Sequence, residues 1–317
     1  MEKLRHGPEN LTCHSERTGF YSEGVWCAAT LHWPADVSQH ARPAILMVHG
    51  WGGIQNAMTV PFYEEFTRVG YAVMTFDYRG WGESAGLPRQ TISARQRMRD
   101  ADAALAFLKA QPGVDPSRIV VWGSSFGGGH AVELAADHPE LAGVIAQVPM
   151  LDGMAAVLAV PPLRLMRFAL YCLADLIKPG RPVYIPVVSE PGAFSSMDRD
   201  DANTALQLAE RSLMRKYDNR VAARSLMTMG PYRPFKRLKE IQIPTLLLGA
   251  TEDTVAPFVE SAIRKVNNPY ITVATVKANH FQPYFEPFFS EVIRRELEFL
   301  KDLQYATEKN GRQQTVA

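Results

Sequence analysis

The 317-residue chain has no charge excess of either sign: 34 Lys and Arg oppose 33 Asp and Glu, a formal net charge of +1. That balance builds no field to gather nucleic acid or an anionic membrane, so a small-molecule partner is expected, with no nucleic acid and no membrane. Cysteine is scarce. Cys13, Cys27 and Cys172 are odd in number and fit no metal-ligand spacing, so they read as reduced thiols of a cytoplasmic protein, with no disulfide framework or zinc site. Residues 1–8 lack the apolar core of a secretory signal. Long clean hydrophobic runs are also missing. The most apolar stretch, 157–177, contains Pro161, Pro162, Arg164, Arg167 and Asp175, which a bilayer-spanning helix tolerates poorly; a buried or contact-making helix in water is expected instead.

What is present is a globular composition, 46% hydrophobic and 21% charged. At roughly 150 residues per domain, the length admits two units or one large core with an insertion. Short β-like runs alternate with helical patterns, the mark of a parallel sheet with crossover helices. Strands are expected as an antiparallel pair within 20–33, then at 44–48, 72–76, 118–122, 144–148, 245–248 and 271–276. Residues 93–110 set Met98, Ala101, Leu105 and Leu108 at helical spacing and stop before Pro112-Gly113. The rhythm breaks over 151–239, where helical patterns dominate and no pair of sheet strands is evident. That segment holds the apolar helix, a Pro-rich extended piece at 179–191 and polar helices around 204–216 and 219–229. Sheet patterning resumes at Ile243-Pro244-Thr245. The expected organisation is therefore a core of 1–150 and 240–317 interrupted by a helical insertion of 151–239, with a polar, fraying tail after Leu303.

Gly-x-Ser-x-Gly occurs twice, at 82–86 and 123–127. Only the second follows an apolar run, Ile119-Val120-Val121-Trp122, and opens a helical segment, the strand-turn-helix setting that a strained nucleophilic serine requires. Ser125 is the candidate nucleophile and Ser84 reads as a turn residue. The helix beginning beside Ser125 aims free N–H groups at a developing oxyanion, which makes the Phe126 amide one donor. His49-Gly50-Trp51-Gly52-Gly53 follows the 44–48 strand, and the Trp51 amide is the candidate second donor; His49 reads as a structural residue holding that loop.

A serine hydroxyl needs a base. His6, His14, His32 and His40 precede the first central strand, and His130 and His138 lie in or behind the helix after Ser125. His280 follows the last strand, where catalytic groups of open α/β sheets gather, and is the candidate base. A carboxylate must fix its tautomer. Asp253, after the 245–248 strand, is preferred, with Glu252 and Asp152 as competitors.

This linked set, together with Asp77-Tyr78-Arg79-Gly80-Trp81-Gly82-Glu83-Ser84, resembles the α/β-hydrolase superfamily over nearly all of residues 20–303. Within it the chain is most similar to the branch of dienelactone hydrolases, acetyl xylan esterases and X-Pro peptidases, which includes polyketide acyltransferases and thioesterases. The resemblance implies an α/β fold: a mostly parallel eight-stranded sheet flanked by helices, with a cap inserted after the sixth strand. It also implies structural roles for Asp77, Arg79 and Ser84. A serine at the nucleophile position, where epoxide hydrolases and haloalkane dehalogenases carry aspartate, argues against those activities.

The expected chemistry is cleavage of an ester or thioester through an acyl-serine on Ser125, with His280 and Asp253 completing the triad and no metal or organic cofactor. Acyl transfer to another acceptor, C–C bond hydrolysis and a non-catalytic binding protein of the same fold are the rivals. In the insertion, Met154, Leu158, Leu163, Met166, Phe168, Leu170 and Tyr171 are candidates to line an acyl pocket, or else form cap core or a homodimer face. Arg164 and Arg167 are candidates to meet a substrate carboxylate or phosphate, against ordinary solvation or pairing.

Overall fold

Strands β1 (Cys13–Ser22) and β2 (Val25–Pro34) turn on Glu23-Gly24, both at positive φ (47° and 81°), the twist that a two-residue hairpin loop demands. The computed structural model describes residues 13–36, 41–178 and 180–315, with side chains described as far as residue 305. Residues 1–8, on which the reading of the N-terminus rests, lie outside the described residues, as do His6 and His40.

After the hairpin the chain alternates: β3 (Arg42–Val48), α1 (Val60–Arg68), β4 (Ala72–Phe76), α2 (Ala94–Lys109), β5 (Val114–Ser124), α3 (Phe126–Asp137) and β6 (Gly143–Gln147). The segment that follows adds no strand to the main sheet; it contains α4 (Gly153–Leu158), α5 (Pro162–Leu176), β7 (Tyr184–Pro186), α6 (Ala202–Leu213) and β8 (Arg220–Ala222). The core resumes with β9 (Thr245–Ala250), α7 (Glu260–Arg264), β10 (Ile271–Val276) and α8 (Phe288–Thr315).

The main sheet has eight strands in the order β1-β2-β4-β3-β5-β6-β9-β10. β1 and β2 are antiparallel, β2 meets β4 antiparallel, and the remaining pairs are parallel. Ala44, Ile45, Leu46, Met47 and Val48 of β3 are fully buried, as a strand covered on both faces must be. This is the mostly parallel, helix-flanked α/β sheet that the sequence leads one to expect. The loops after β3, β5, β9 and β10 all leave from the carboxyl ends of parallel strands, the edge where such sheets hold ligands.

Three local expectations are corrected, and one helix was not foreseen. The apolar stretch 157–177 is two helices, because Pro161 cannot continue α4 and Pro162 starts α5. The expected helix over 219–229 is strand β8 followed by a 3₁₀ segment, Ala223–Thr228, and β8 pairs antiparallel with β7, so the insertion does hold a strand pair. The chain after Leu303 does not fray at that point: α8 runs to Thr315. Helix α1, which the sequence reading passed over, starts with Pro61 in its first turn and packs Phe62 and Phe66 into the core.

Candidate active site

Ser125 occupies the one-residue corner between β5 and α3 at φ 58° and ψ −122°, a region costly for any residue with a side chain. The corner closes only because its flanks are bare. A Cβ on Gly123 would overlap the Gly127 carbonyl, and one on Gly127 would overlap the Val48 carbonyl. The Ser125 N–H donates to the Gln147 carbonyl at 2.9 Å, and its carbonyl accepts from Met150 at 2.8 Å, which locks the corner to β6.

The histidine and carboxylate arrive from two other strand ends. His280 Nε2 lies 2.8 Å from Ser125 Oγ, and His280 Nδ1 lies 2.6 Å from Asp253 Oδ2. Asp253 Oδ1 accepts the backbone N–H groups of Val255 (2.9 Å) and Ala256 (2.6 Å). A carboxylate only accepts, so Nδ1 carries the proton and Nε2 is left to accept from the serine hydroxyl. His280 and Asp253 are buried, away from competing water.

The competitors sit elsewhere. Glu252 is exposed; Asp152 caps α4 through the Met154 and Ala155 amides and pairs with Arg233. His130 bonds to the Tyr232 hydroxyl at 2.8 Å, and His138 to Asp102 and Glu140. Ser84 donates to the Asp77 carbonyl and accepts from the Ala28 amide. The Asp77 carboxylate, which burial pushes up to about 6, takes the Gln55 and Glu83 amides, and Arg79 pairs with Asp100 and Glu23. Ser84 and Asp77 therefore hold backbone in place, while Arg79 ties the loop to the side chains of Asp100, Glu23 and Ser22.

The loop after β3 passes directly beside the serine: a Cβ on Gly50 would lie 3.0 Å from that of Ser125. Among the described residues neither the Trp51 nor the Phe126 amide donates to a protein acceptor. Burial lowers His49 to about 4, and the neutral ring donates from Nε2 to the Phe76 carbonyl.

Arg97, which the sequence reading did not single out, holds the same loop from below. Its Nη1 donates to the Gly50 carbonyl at 2.8 Å, and its guanidinium lies 4.4 Å from the Tyr78 ring centre and 5.5 Å from that of Trp81. Those π-faces are the surroundings of a buried cation that has no ion-pair partner among the described residues. From the other side the Tyr217 hydroxyl donates to the Gly52 carbonyl, and Trp51 Nε1 donates to Ser196 Oγ at 3.1 Å. With the carbonyls of Gly50 and Gly52 tied back, the intervening peptide planes are set. Arg97 lies on the buried stripe of α2 with Ala101, Leu105 and Leu108; a charge in an apolar helical stripe was the available signal.

Above Ser125 opens a cavity of about 460 Å3, walled by Trp51, Phe126, Leu165, Phe168, Leu176 and Met229 among others. Of the insertion residues expected to line it, only Phe168 does. Met154, Leu158, Leu163, Met166 and Leu170 face solvent, and Tyr171 packs at a tilt against Phe194. The cavity takes the other face of α5, at 165, 168, 169, 172, 173 and 176. Arg164 is bound to Asp198 and to the carbonyls of Ala193 and Ser195, and Arg167 lies over the Phe194 ring at 3.8 Å. Neither lines the cavity.

A strap from the insertion is pinned to the loops that carry the histidine and carboxylate. Asp200 and Asp201 are consecutive left-handed residues, at φ 58° and 63°. Asp200 accepts from the Thr254 amide and hydroxyl (2.7 and 2.6 Å) and the His280 amide (3.4 Å). Asp201 accepts from the Asn279 side chain at 2.7 Å. Among the described residues no group of three or more His, Cys, Asp or Glu side chains is arranged to hold a metal ion, and no helix is long and apolar enough to cross a membrane.

Comparison with known proteins places the chain in a family. The quorum-quenching protein AidA of Acinetobacter baumannii is 35% identical over 285 residues, 89% of this chain and 93% of its own. A thiohydrolase of Eupenicillium brefeldianum is 28% identical, over 69% of this chain and 72% of its own. Among solved structures, the α/β hydrolase GrgF of Penicillium sp. superposes with a TM-score of 0.74 at 22% identity, over 91% of this chain and 98% of its own. The family model described as "Serine aminopeptidase, S33" matches residues 39–273. The chain therefore belongs to that hydrolase family, within the α/β-hydrolase superfamily.

Proposed function

We propose that the protein is a serine hydrolase that cleaves an ester or thioester of a largely apolar acyl group. The observation that carries this reading is the unbroken chain of hydrogen bonds from Ser125 Oγ through His280 to Asp253 at the floor of an apolar cavity. Ser125 attacks the carbonyl carbon while His280 Nε2 takes the hydroxyl proton; Asp253 holds the ring and stabilises the imidazolium. The Trp51 and Phe126 amides receive the oxyanion. His280 returns the proton to the leaving group, and water, deprotonated by the same histidine, releases the acid. Residues 151–239 act as the cap that shapes the acyl site. The thiohydrolase relative favours a thioester among the substrates. Transfer of the acyl group to an alcohol or amine uses the same intermediate, and product masses with and without such acceptors separate the two outcomes.

The test is labelling by a fluorophosphonate, followed by turnover of acyl esters and thioesters. Modification at Ser125, absent from the Ser125→Ala protein, with a loss of several orders of magnitude in turnover, is the expected result. A folded wild-type protein that is neither labelled nor active on any acyl substrate overturns the proposal.

A further inference from the structure

We propose that Arg199 receives an anionic group, a carboxylate or phosphate, carried by the substrate, an inference that rests on the serine-hydrolase reading above. The cavity over Ser125 is lined almost wholly by apolar side chains, and among the described residues Arg199 is the single charged one in its wall. Its own charge is poorly matched. Among the described residues its ion-pair partner is Asp198, whose Oδ1 stands 4.0 Å from Nε, beyond hydrogen-bond reach, and whose charge is shared with Arg164 and the Gly192 amide at the other oxygen, Oδ2. The neighbouring carboxylates of Asp200 and Asp201 are committed to Thr254, His280, Asn279 and Gln282.

Those same bonds give Arg199 a fixed address. It sits between Asp198, tied down by Arg164, and Asp200, bonded to the residue that follows Asp253. Thr254 also lines the cavity, so the backbone that carries Arg199 is anchored on a wall shared with the residue after Asp253, and its side chain, 37% exposed, meets both the cavity and solvent. A guanidinium beside an apolar cavity has little to gain from the walls and much from an arriving anion, because the local dielectric is lower than that of water. Its fork also matches two oxygens of a carboxylate or phosphate.

Two sources of anion are distinguished by matched substrates. On the acyl side, p-nitrophenyl monoesters of α,ω-dicarboxylic acids are compared with p-nitrophenyl esters of the corresponding monocarboxylic acids, over a graded series of lengths. On the leaving-group side, acyl-coenzyme A is compared with the same acyl group on N-acetylcysteamine. In one arm the wild type is expected to favour the anionic member. Arg199→Gln should lower kcat/KM for that member by about tenfold to a hundredfold, leave the neutral member within about twofold, and Arg199→Lys should restore part of the loss. The arm in which this occurs names the source. Equal effects on charged and neutral substrates, or none, overturn the inference. If no ester is turned over, the same contrast is read from the rate at which a free dicarboxylate or coenzyme A protects Ser125 from the fluorophosphonate, in wild type and Arg199→Gln. Labelling without any Arg199-dependent protection defeats this inference alone, whereas failure of labelling and turnover together removes the hydrolase reading and this one with it.

Discussion

Replacing Asp253 by asparagine changes one atom and should nearly silence the enzyme. Asp253 Oδ1 already accepts two backbone N–H groups, from Val255 and Ala256. The asparagine carbonyl oxygen must keep that place, since the flipped amide would set its own donors against two others. Its NH2 group then faces His280 Nδ1, which has to become the acceptor, and the ring proton moves to Nε2. That nitrogen is the one 2.8 Å from Ser125 Oγ, so it can no longer take the hydroxyl proton. A serine protease with the equivalent wrong tautomer loses about 10⁴ in kcat, which at ~1.36 kcal/mol per tenfold is about 5 kcal/mol of transition-state stabilisation. The volume is unchanged, so the fold should persist. The assay is steady-state hydrolysis of a p-nitrophenyl ester, with circular dichroism to confirm folding. A folded Asp253→Asn protein within about tenfold of the parent kcat would refute the assignment of the proton-bearing nitrogen.

Three further outcomes follow from the geometry. Burial pushes the Glu296 carboxyl from 4.5 up to about 8, so the folded chain holds a proton that the unfolded chain releases; its contribution is complete below about pH 4.5 and lost as pH rises through about 8. Glu296→Gln, which keeps an acceptor for the Trp122 indole N–H, should flatten the dependence of Tm on pH across that window and melt a few degrees higher near pH 8; unchanged curves would contradict this. Arg97→Met frees the Gly50 carbonyl and should lower kcat by less than the ~10²–10³ of a lost oxyanion donor, with KM nearly constant and partial rescue by Arg97→Lys; a loss confined to KM would count against a loop-setting role. Gly127→Ala drives a methyl into the Val48 and His49 backbone and should cost about 3 kcal/mol or more, read as a lower urea midpoint, whereas an unshifted midpoint would mean that the corner can relax.

The strands could be read because each speaks for itself: 72–76 and 271–276 are bounded runs with turn residues on both sides, and they coincide with β4 and β10. Ser125, His280 and Asp253 were legible for a related reason. Each stands a few residues past a strand of the parallel sheet, so topology alone gathers them at one edge. The insertion offered no such rule. Helix α5 sets Arg164, Arg167 and Asp175 on one face, but these pair with Asp198, the Phe194 ring and Arg224 and so do not mark the solvent side, which left the solvent-facing Leu163, Met166 and Leu170 indistinguishable from the cavity-facing Leu165, Phe168 and Cys172. The polar run after Leu303 misled because lack of apolar residues was taken to end the helix, whereas α8 continues to Thr315. Arg199 was invisible because its meaning depends on Asp198 being occupied by Arg164, a long-range fact.

The two left-handed aspartates have a consequence for anyone who would retailor this protein. Specificity in such folds invites the exchange of whole insertions between relatives, but here the insertion and the reacting loops share a joint at Asp200 and Asp201 with Thr254, His280, Asn279 and Gln282. A chimera that imports a foreign segment without its matching contacts would present a new pocket to a histidine no longer held in register. Transplants should therefore carry both halves of the joint or neither.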